Sequence, residues 1–538
     1  MIARSASPPH STALMHGRND RGWTPGRPHC RTAEPIDRGR DIDRLPSRNA
    51  MTASRRPNPG PRPVLGALLL SSLFASGCIL GPKYQRPDMA APPAHRGAAA
   101  ETGSLADIPW WDLFEDPALQ ALVREALANN HDLRIAAARV EEVRALAGIP
   151  KSFLYPEVNV GGNYTVGQLS RLSDPPQAAP EGDRRYQNWN AGFALSWEID
   201  VFGRIRRESE AAFARFRATE EFQRGVIVTL VADVASGYFA LRSLDLQLEI
   251  ARRTVATNDE SVDFYRKRVT GGVSNRLELD QAVANRARTA TTIPDLERQI
   301  AITENALSVL LGRPPGPIAR GAALSDQYVP PRVPPGLPAA LLERRPDVVA
   351  SEQNLVAANA DIGAAKALFY PTISLTGLLG GASRDLSDLI KGDAAVWSVT
   401  PGLFQPLFQA GRIRRNYEAA EARFEQALAA YQQTALTAYR EVADALVTIE
   451  KLAEARREEE TGVEALRDAG VLARSRYDTG LSNYLEVLLA DQYLFERELV
   501  LARIRGEELT ALTRLYRALG GGWRSEPSSA PAPAVDPQ

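Results

Sequence analysis

The chain repeats itself once, and that duplication constrains the fold more than any single motif. Phe153-Leu154-Tyr155-Pro156 returns as Leu368-Phe369-Tyr370-Pro371, 215 residues on. Gly203-Arg204-Ile205-Arg206-Arg207 returns as Gly411-Arg412-Ile413-Arg414-Arg415, 208 residues on. Val273-Ser274-Asn275 and Leu481-Ser482-Asn483, and Leu311-Gly312 and Leu519-Gly520, keep that second shift. The change from 215 to 208 puts a length difference between Tyr-Pro and Gly-Arg, where surface loops absorb it. Two repeats are expected, 110–315 and 338–523, joined by a Pro-rich linker at 316–337. Residues 524–538 read as a disordered tail.

Each repeat reads as helix, strand pair, very long helix and return helix. Residues 117–150 lack strong breakers. After Tyr155-Pro156 the period becomes two: Val158, Val160, Tyr164 and Val166, then Ala191, Phe193, Leu195, Trp197, Ile199 and Val201. Ile373, Leu375 and Leu379, then Trp397, Val399 and Leu403, repeat this more faintly. From Arg204 to Val269 there is no Pro. Ile227, Val234, Leu241, Leu248, Val255, Val262 and Val269 recur every seventh residue, with Leu244, Ala251, Asn258 and Tyr265 at a second heptad position. Val442, Ile449 and Val463 continue the theme in the second repeat, interrupted by Arg456. At 1.5 Å per residue such a helix is about 100 Å long. It stops at Thr270-Gly271-Gly272, and its counterpart at Thr479-Gly480.

Composition removes several classes of function. Of 64 basic and 65 acidic residues, 12 and 5 precede Cys78, which leaves 52 against 60 and a net charge of −8 for the remainder. An acidic body is a poor partner for nucleic acid. Two cysteines cannot build a disulfide framework or a Cys-rich metal site, and with only His95 and His131 after Cys78 a His/Cys zinc enzyme is not expected. No phosphate-cradling Gly-rich loop is present, and Ser76 and Ser152 lie in no nucleophile-elbow setting. An enzyme is not expected, and no cofactor or metal ligand is assigned.

The first residues read as an address. Residues 1–50 carry no apolar period, and Met51 is the expected translation start. Arg55, Arg56 and Arg62 precede an apolar run, Val64 to Ala75, too short to span a bilayer as a helix. Ala75-Ser76-Gly77-Cys78 resembles a bacterial lipobox, with Ala75 where Leu is usual. That resemblance implies that residues 1–77 are removed and Cys78 is acylated. An acyl chain adds about 0.8 kcal/mol of membrane affinity per buried CH₂. Leu80 rather than Asp close behind the cysteine implies the outer membrane. Residues 78–109 would be a lipid-anchored linker.

Strands of about ten residues match a membrane-crossing β-strand. Four cannot close a barrel, which needs about eight, and an unpaired edge cannot persist in lipid. Strands must therefore be pooled between chains, and three chains would supply twelve. The long helices carry too many charges for the same bilayer and must project into water. Trp189, Trp197 and Trp397 read as interfacial anchors.

Several motifs then resemble one family. They are Gly81-Pro82-Lys83-Tyr84-Gln85-Arg86-Pro87, Trp110-Trp111, Asp116-Pro117, Ala128-Asn129-Asn130-His131-Asp132-Leu133, Arg345-Pro346-Asp347 and Leu519-Gly520-Gly521-Gly522-Trp523. Together they resemble the TolC-like outer-membrane efflux proteins, in the lipoprotein (NodT) branch that serves RND-type pumps. The resemblance implies an α+β membrane protein: a homotrimer with a twelve-stranded outer-membrane β-barrel, four strands per chain, continued by a long periplasmic α-helical barrel. It implies a passive exit duct for small molecules such as drugs, fed by a periplasmic adaptor and an inner-membrane RND-type pump. A secretion-type conduit and a periplasmic coiled-coil scaffold without a pore are the competing readings.

The same resemblance assigns a gate to the helix tips. Leu485 falls on a hydrophobic gate position and Tyr477 on a tyrosine that locks the helix pair. The family's acidic gate position falls on Leu489, so weak cation selectivity is expected; Glu486 and Asp491 are the nearby carboxylates, at another helix phase. Rings of such side chains select ions or block water. Ordinary coiled-coil packing is the competing reading of Leu485 and Leu489. Gly271, Gly272, Val273, Gly480 and Leu481 form the tips where the adaptor would dock.

Overall fold

The computed structural model describes residues 79–96, 116–168, 185–327, 336 and 338–521. Met51, Cys78, Trp110-Trp111, Gly522-Trp523 and the C-terminal tail lie outside the described residues. In the first repeat the order is α1 (Pro117–Asn129), α2 (His131–Ser152), β1 (Glu157–Gln168), β2 (Arg185–Ile199), α3 (Arg204–Thr270) and α4 (Arg276–Leu310). The second repeat runs α5 (Pro338–Arg344), α6 (Pro346–Ala367), β3 (Thr372–Ser383), β4 (Ala395–Phe404), α7 (Arg412–Asp478) and α8 (Tyr484–Ala518). Both long helices have 67 residues and both return helices have 35.

The expected single helix over 117–150 is two. Asn130 breaks it, with an extended ψ of 131°. Its side-chain carbonyl accepts from the Leu133 N–H at 2.9 Å, capping α2, while its amide donates to the Leu310 carbonyl at 2.9 Å. Short polar side chains compete with the helix for its own hydrogen bonds, so a buried Asn can end one helix and start the next. Asp116 begins α1. It accepts from the Ala118 N–H at 2.8 Å and from the buried Tyr238 hydroxyl at 2.7 Å.

The heptad stripe of α3 forms the core. Val234 and Leu241 are fully buried, beside Leu119, Val123, Leu307, Leu311 and Leu515. Val255, Val262, Ala251, Asn258 and Tyr265 are buried toward its far end. One stretch of α3 is apolar and long enough to cross a membrane by composition, but half of it is buried within the chain. It is a core segment of the helical body.

Residues 79–96 lie along the first repeat's strand-to-helix joint and α6. The buried Arg207 donates to the Leu80 carbonyl at 3.0 Å, and Asn359 to that of Pro82 at 3.1 Å. Tyr84 and Arg86 both bind Glu352, at 3.1 and 2.5 Å. A Cβ on Gly81 would overlap the Cα of Gly363, so only glycine allows this approach.

The four strands form one antiparallel sheet in the order β1-β2-β3-β4. Its register sorts the faces. Val158, Val160, Tyr164 and Val166 pair with Leu195, Phe193, Trp189 and Gln187. Leu195, Phe193, Trp197 and Ile199 pair with Gly377, Leu379, Leu375 and Ile373. Ile373, Leu379 and Gly377 then face Leu403, Trp397 and Val399. Directly paired residues share a face, so one side of the sheet is almost wholly apolar. The other carries Asn159, Asn163, Thr165, Asn190, Ser196, Ser374, Thr376 and Thr400. All three strand tryptophans lie on the apolar side. Trp189 stacks on Tyr164 at 4.3 Å, Trp197 donates to the Leu154 carbonyl at 2.9 Å, and Trp397 is 76% exposed.

Candidate gate at the helix tips

α3 and α4, and α7 and α8, reverse direction through nearly identical turns. Gly272 and Gly480 hold φ of +73° and +74°. The Val273 N–H donates to Arg268 O at 2.9 Å and Gly272 to Val269 O at 3.1 Å. Leu481 donates to Arg476 O at 2.8 Å and Gly480 to Tyr477 O at 2.9 Å. This pair of bonds is the Schellman termination, which needs a left-handed residue at its second-to-last place. Gly271, the other glycine at this helix stop, sits at φ −78°, open to any residue. Asn275 restarts the first return helix by accepting from the Glu278 N–H at 3.1 Å.

Beneath the turns lies an aromatic cluster. Val262, Tyr265, Ala282, Ala473, Tyr484, Val487 and Leu488 bury one another, and Tyr477 packs against them half-buried. The rings of Tyr265 and Tyr484 are 4.4 Å apart, and Tyr477 lies 6.1 and 6.0 Å from them. Arg268 sits over the Tyr477 ring at 5.9 Å. Burial, then the charge of Asp491, pushes the Tyr484 hydroxyl up to about 12. Burial, then Tyr477, pushes Tyr265 up as well. Tyr265 and Tyr484 were not singled out as site residues from sequence, although Tyr265 occupied a heptad core position.

Leu485 and Leu489 lie outside this cluster, 46% and 39% exposed. Tyr484, Val487 and Leu488 take the chain's own packing positions instead. With Tyr493 at 54%, the two leucines make a stripe at every fourth residue of α8, and Leu481, 72% exposed, stands on the turn before it. Val273, 67% exposed, stands on the first tip. Glu486 points to Arg476 at 3.5 Å and Asp491 to Arg474 at 3.0 Å. Burial holds the Asp491 carboxyl above its ordinary value despite Arg474. Each residue turns a helix by about 100°, so neither carboxylate joins the leucine stripe.

Polar links tie the two hairpins further from the tip. Asn258, Asn285 and Thr289 are buried together, Asn258 donating to Thr289 at 3.1 Å and Asn285 to Asn258 at 3.2 Å. Gln492 of α8 donates to Asn285 at 3.1 Å. Buried Glu498 accepts from Arg253 of α3 at 2.6 Å and Arg467 of α7 at 2.7 Å. A polar residue among apolar heptad positions was the only sequence trace of this, at Asn258. Among the described residues no cluster of three or more His, Cys, Asp or Glu could hold a metal ion.

A family model described as "Outer membrane efflux protein" matches residues 122–313 and 337–521, one match over each repeat. The chain belongs to the outer membrane efflux protein family. The solvent efflux pump outer membrane protein SrpC of Pseudomonas putida is 36% identical over 468 residues, 85% of this chain and 97% of that protein. The cation efflux system protein CusC of Escherichia coli is 35% identical over 84% of this chain and 97% of its own length. The open state of the Neisseria gonorrhoeae MtrE outer membrane channel aligns with a TM-score of 0.75 at 30% identity, covering 83% of this chain and 98% of that one. This efflux protein therefore shares its fold with outer-membrane channels, and its place is the outer membrane. The expected family, fold class and channel function hold.

Proposed function

We propose that three copies of this chain close one twelve-stranded barrel in the outer membrane, and that their long helices form a tube through the periplasm. The observation that carries this is the sheet: one apolar face, one polar face and two open edges, on a chain whose helices are charged. An apolar face suits lipid, a polar face suits a wet lumen, and open edges demand partners. Acylation at Cys78 adds a lipid anchor. The duct is passive. A periplasmic adaptor docks at the tips formed by Gly271, Gly272, Val273, Gly480 and Leu481, and an inner-membrane RND-type pump supplies small toxic molecules.

In this reading Leu485 and Leu489 from three copies ring the axis and exclude water at rest. The tyrosine cluster around Tyr477 holds each hairpin pair closed. Glu486, paired with Arg476, stands beside the ring. The leucine stripe supports this assignment, because it stays partly exposed among the described residues. Planar-bilayer conductance of the purified protein tests both parts. Rare, small openings are expected, growing in Leu485→Ala, Leu489→Ala. Equal conductance in both proteins would return the leucines to helix packing. A folded trimer without channels would overturn the duct.

A further inference from the structure

The loop between β3 and β4 folds back onto the sheet, and the glycine beneath it shows onto which face. A Cβ on Gly381 would overlap the Leu389 carbonyl oxygen and meet a Leu389 methyl at 3.4 Å. Gly381 pairs with Ala191 and Ala395, in phase with Ile373, Leu375 and Leu379. Its side-chain direction is therefore that of the apolar face, and Leu389 lies over that face. The loop is held by its own bonds. Leu386–Asp388 and Gly392–Ala394 are short 3-10 turns. The Leu389 N–H donates to Leu386 O at 3.3 Å, that of Lys391 to Asp388 O at 3.0 Å and that of Ala394 to Lys391 O at 2.9 Å. The Lys391 ammonium pairs with the Asp388 carboxylate at 2.5 Å. Ala394 is buried by this fold, whereas Leu386 and Ile390 are left 58% and 94% exposed.

We propose that this loop is a membrane contact, which sets Leu386 and Ile390 among the acyl chains of the outer leaflet. The inference rests on the shared barrel proposed above. Depth supports it first. From Ile373 to Gly381 the strand rises about 3.3 Å per residue, about 26 Å in all, and a tilt of about 40° leaves about 20 Å along the bilayer normal. An outer-membrane barrel carries an apolar band about 25 Å tall, so Leu389 lies against the sheet inside the band's outer edge. Aromatic side chains mark the same level. On the apolar face Trp397 pairs with Leu379 and Trp189 with Ser383, one on each side of Gly381 along β3. Tryptophan at such a height is the signature of the headgroup boundary. The loop also continues an apolar surface, since Leu379 and Trp397 beside it are 62% and 76% exposed. Its turns bond their own backbone and its lysine is paired with an aspartate, which suits a segment pressed against lipid. Over the polar face the same loop would stand in the lumen; over the apolar face it leaves the duct's outer mouth clear.

Fluorescence quenching tests the contact. Ile390→Cys, Val399→Cys and Thr400→Cys are labelled with bimane in the full-length protein and reconstituted in phosphatidylcholine vesicles. Val399 marks the apolar face and Thr400 the polar one. Each label is quenched from the lipid, by nitroxide on the acyl chains, and from water, by iodide. The Ile390→Cys label should follow Val399→Cys, with lipid quenching about twofold above that of Thr400→Cys and weak quenching by iodide. Leu386→Cys repeats the reading should the Ile390→Cys protein fail to assemble. Quenching by iodide but not by lipid would put the loop in water and overturn the contact. Protection from both would mean that a neighbouring chain covers it, which overturns the contact equally. If Val399→Cys and Thr400→Cys themselves quench alike, the barrel reading falls and this contact with it.

Discussion

The two repeats build the same junction from different chemistry. In the first, Asn130 separates α1 from α2 and donates to the Leu310 carbonyl, the last of its return helix. In the second, Arg345 separates α5 from α6 and donates to the Ala518 carbonyl, the last of the other return helix, at 2.9 Å. Leu310 and Ala518 differ by the repeat's own 208. The amide of Asn130 stops there. The guanidinium of Arg345 reaches on to Asp347 at 2.6 Å and Glu441 of α7 at 2.8 Å. That extra reach fits the state of the long helices. α3 buries 21 side chains among neighbours in its own chain, and α7, equally long, buries 8. A helix with so little packing of its own gains a buried charged tether to its repeat.

The comparison breaks most decisively at Arg345. Arg345→Ala would leave the Ala518 carbonyl without its donor, while water takes up the charge of Glu441 and Asp347, which are 39% and 48% exposed, so a loss of about 2–3 kcal/mol is expected. Asn130→Ala removes a cap and one neutral hydrogen bond, worth about 1–2 kcal/mol. Thermal unfolding in detergent, read by circular dichroism, should rank the two in that order. Equal losses would mean that the charge adds nothing over the amide.

The next test concerns the glycines facing those junctions. Gly312 and Gly520 both end return helices with positive φ, +71° and +90°. A Cβ on Gly312 would overlap the Asn129 carbonyl oxygen, whereas one on Gly520 would meet the Arg344 carbonyl oxygen at 3.2 Å. Gly312→Ala therefore adds a backbone clash to conformational strain, and about 3 kcal/mol is expected from both together. Gly520→Ala should cost about 1–2 kcal/mol. The same unfolding assay checks the difference, and the opposite ranking would show that the first junction is the looser one.

How much of this could be read beforehand follows from what each signal measures. Heptad spacing reports burial directly, so α3, from Val234 to Tyr265, was legible together with its core face. Strand alternation was clear in Phe193, Leu195 and Trp197. It was faint in β3, where Gly377 and Gly381 take places on the apolar face and Gly380, on the polar face, lies too close to β2 for any Cβ. The break at Asn130 was missed because Asn interrupts a helix only when a partner such as Leu310 O takes its amide. The repeat held the clue, since Arg345-Pro346 marks the same break. The tip turns were legible as Gly-rich stops, but not which glycine is left-handed. The leucine stripe was legible as a pattern, while its exposure depends on Tyr484 and Leu488 winning the core positions.

The smallest expected effect separates two adjacent residues at the first tip. Gly271 and Gly272 are alike in sequence, yet only Gly272 holds a positive φ. A Cβ on Gly272 meets nothing within 4 Å, so its substitution is penalised by backbone strain alone. Gly272→Ala should cost about 1 kcal/mol. Gly271→Ala, in an ordinary helical conformation, should change stability by no more than a few tenths or raise it slightly, because alanine loses less chain entropy on folding. Hydrogen exchange of the tip amides resolves effects of this size. Val273 N–H, bonded to Arg268 O across the turn, should exchange faster in Gly272→Ala and unchanged in Gly271→Ala. Equal protection in both would mean that the turn tolerates a left-handed alanine. The Schellman bonds, and not the glycine, would then set the reversal that places Val273 and Leu481 at the tips.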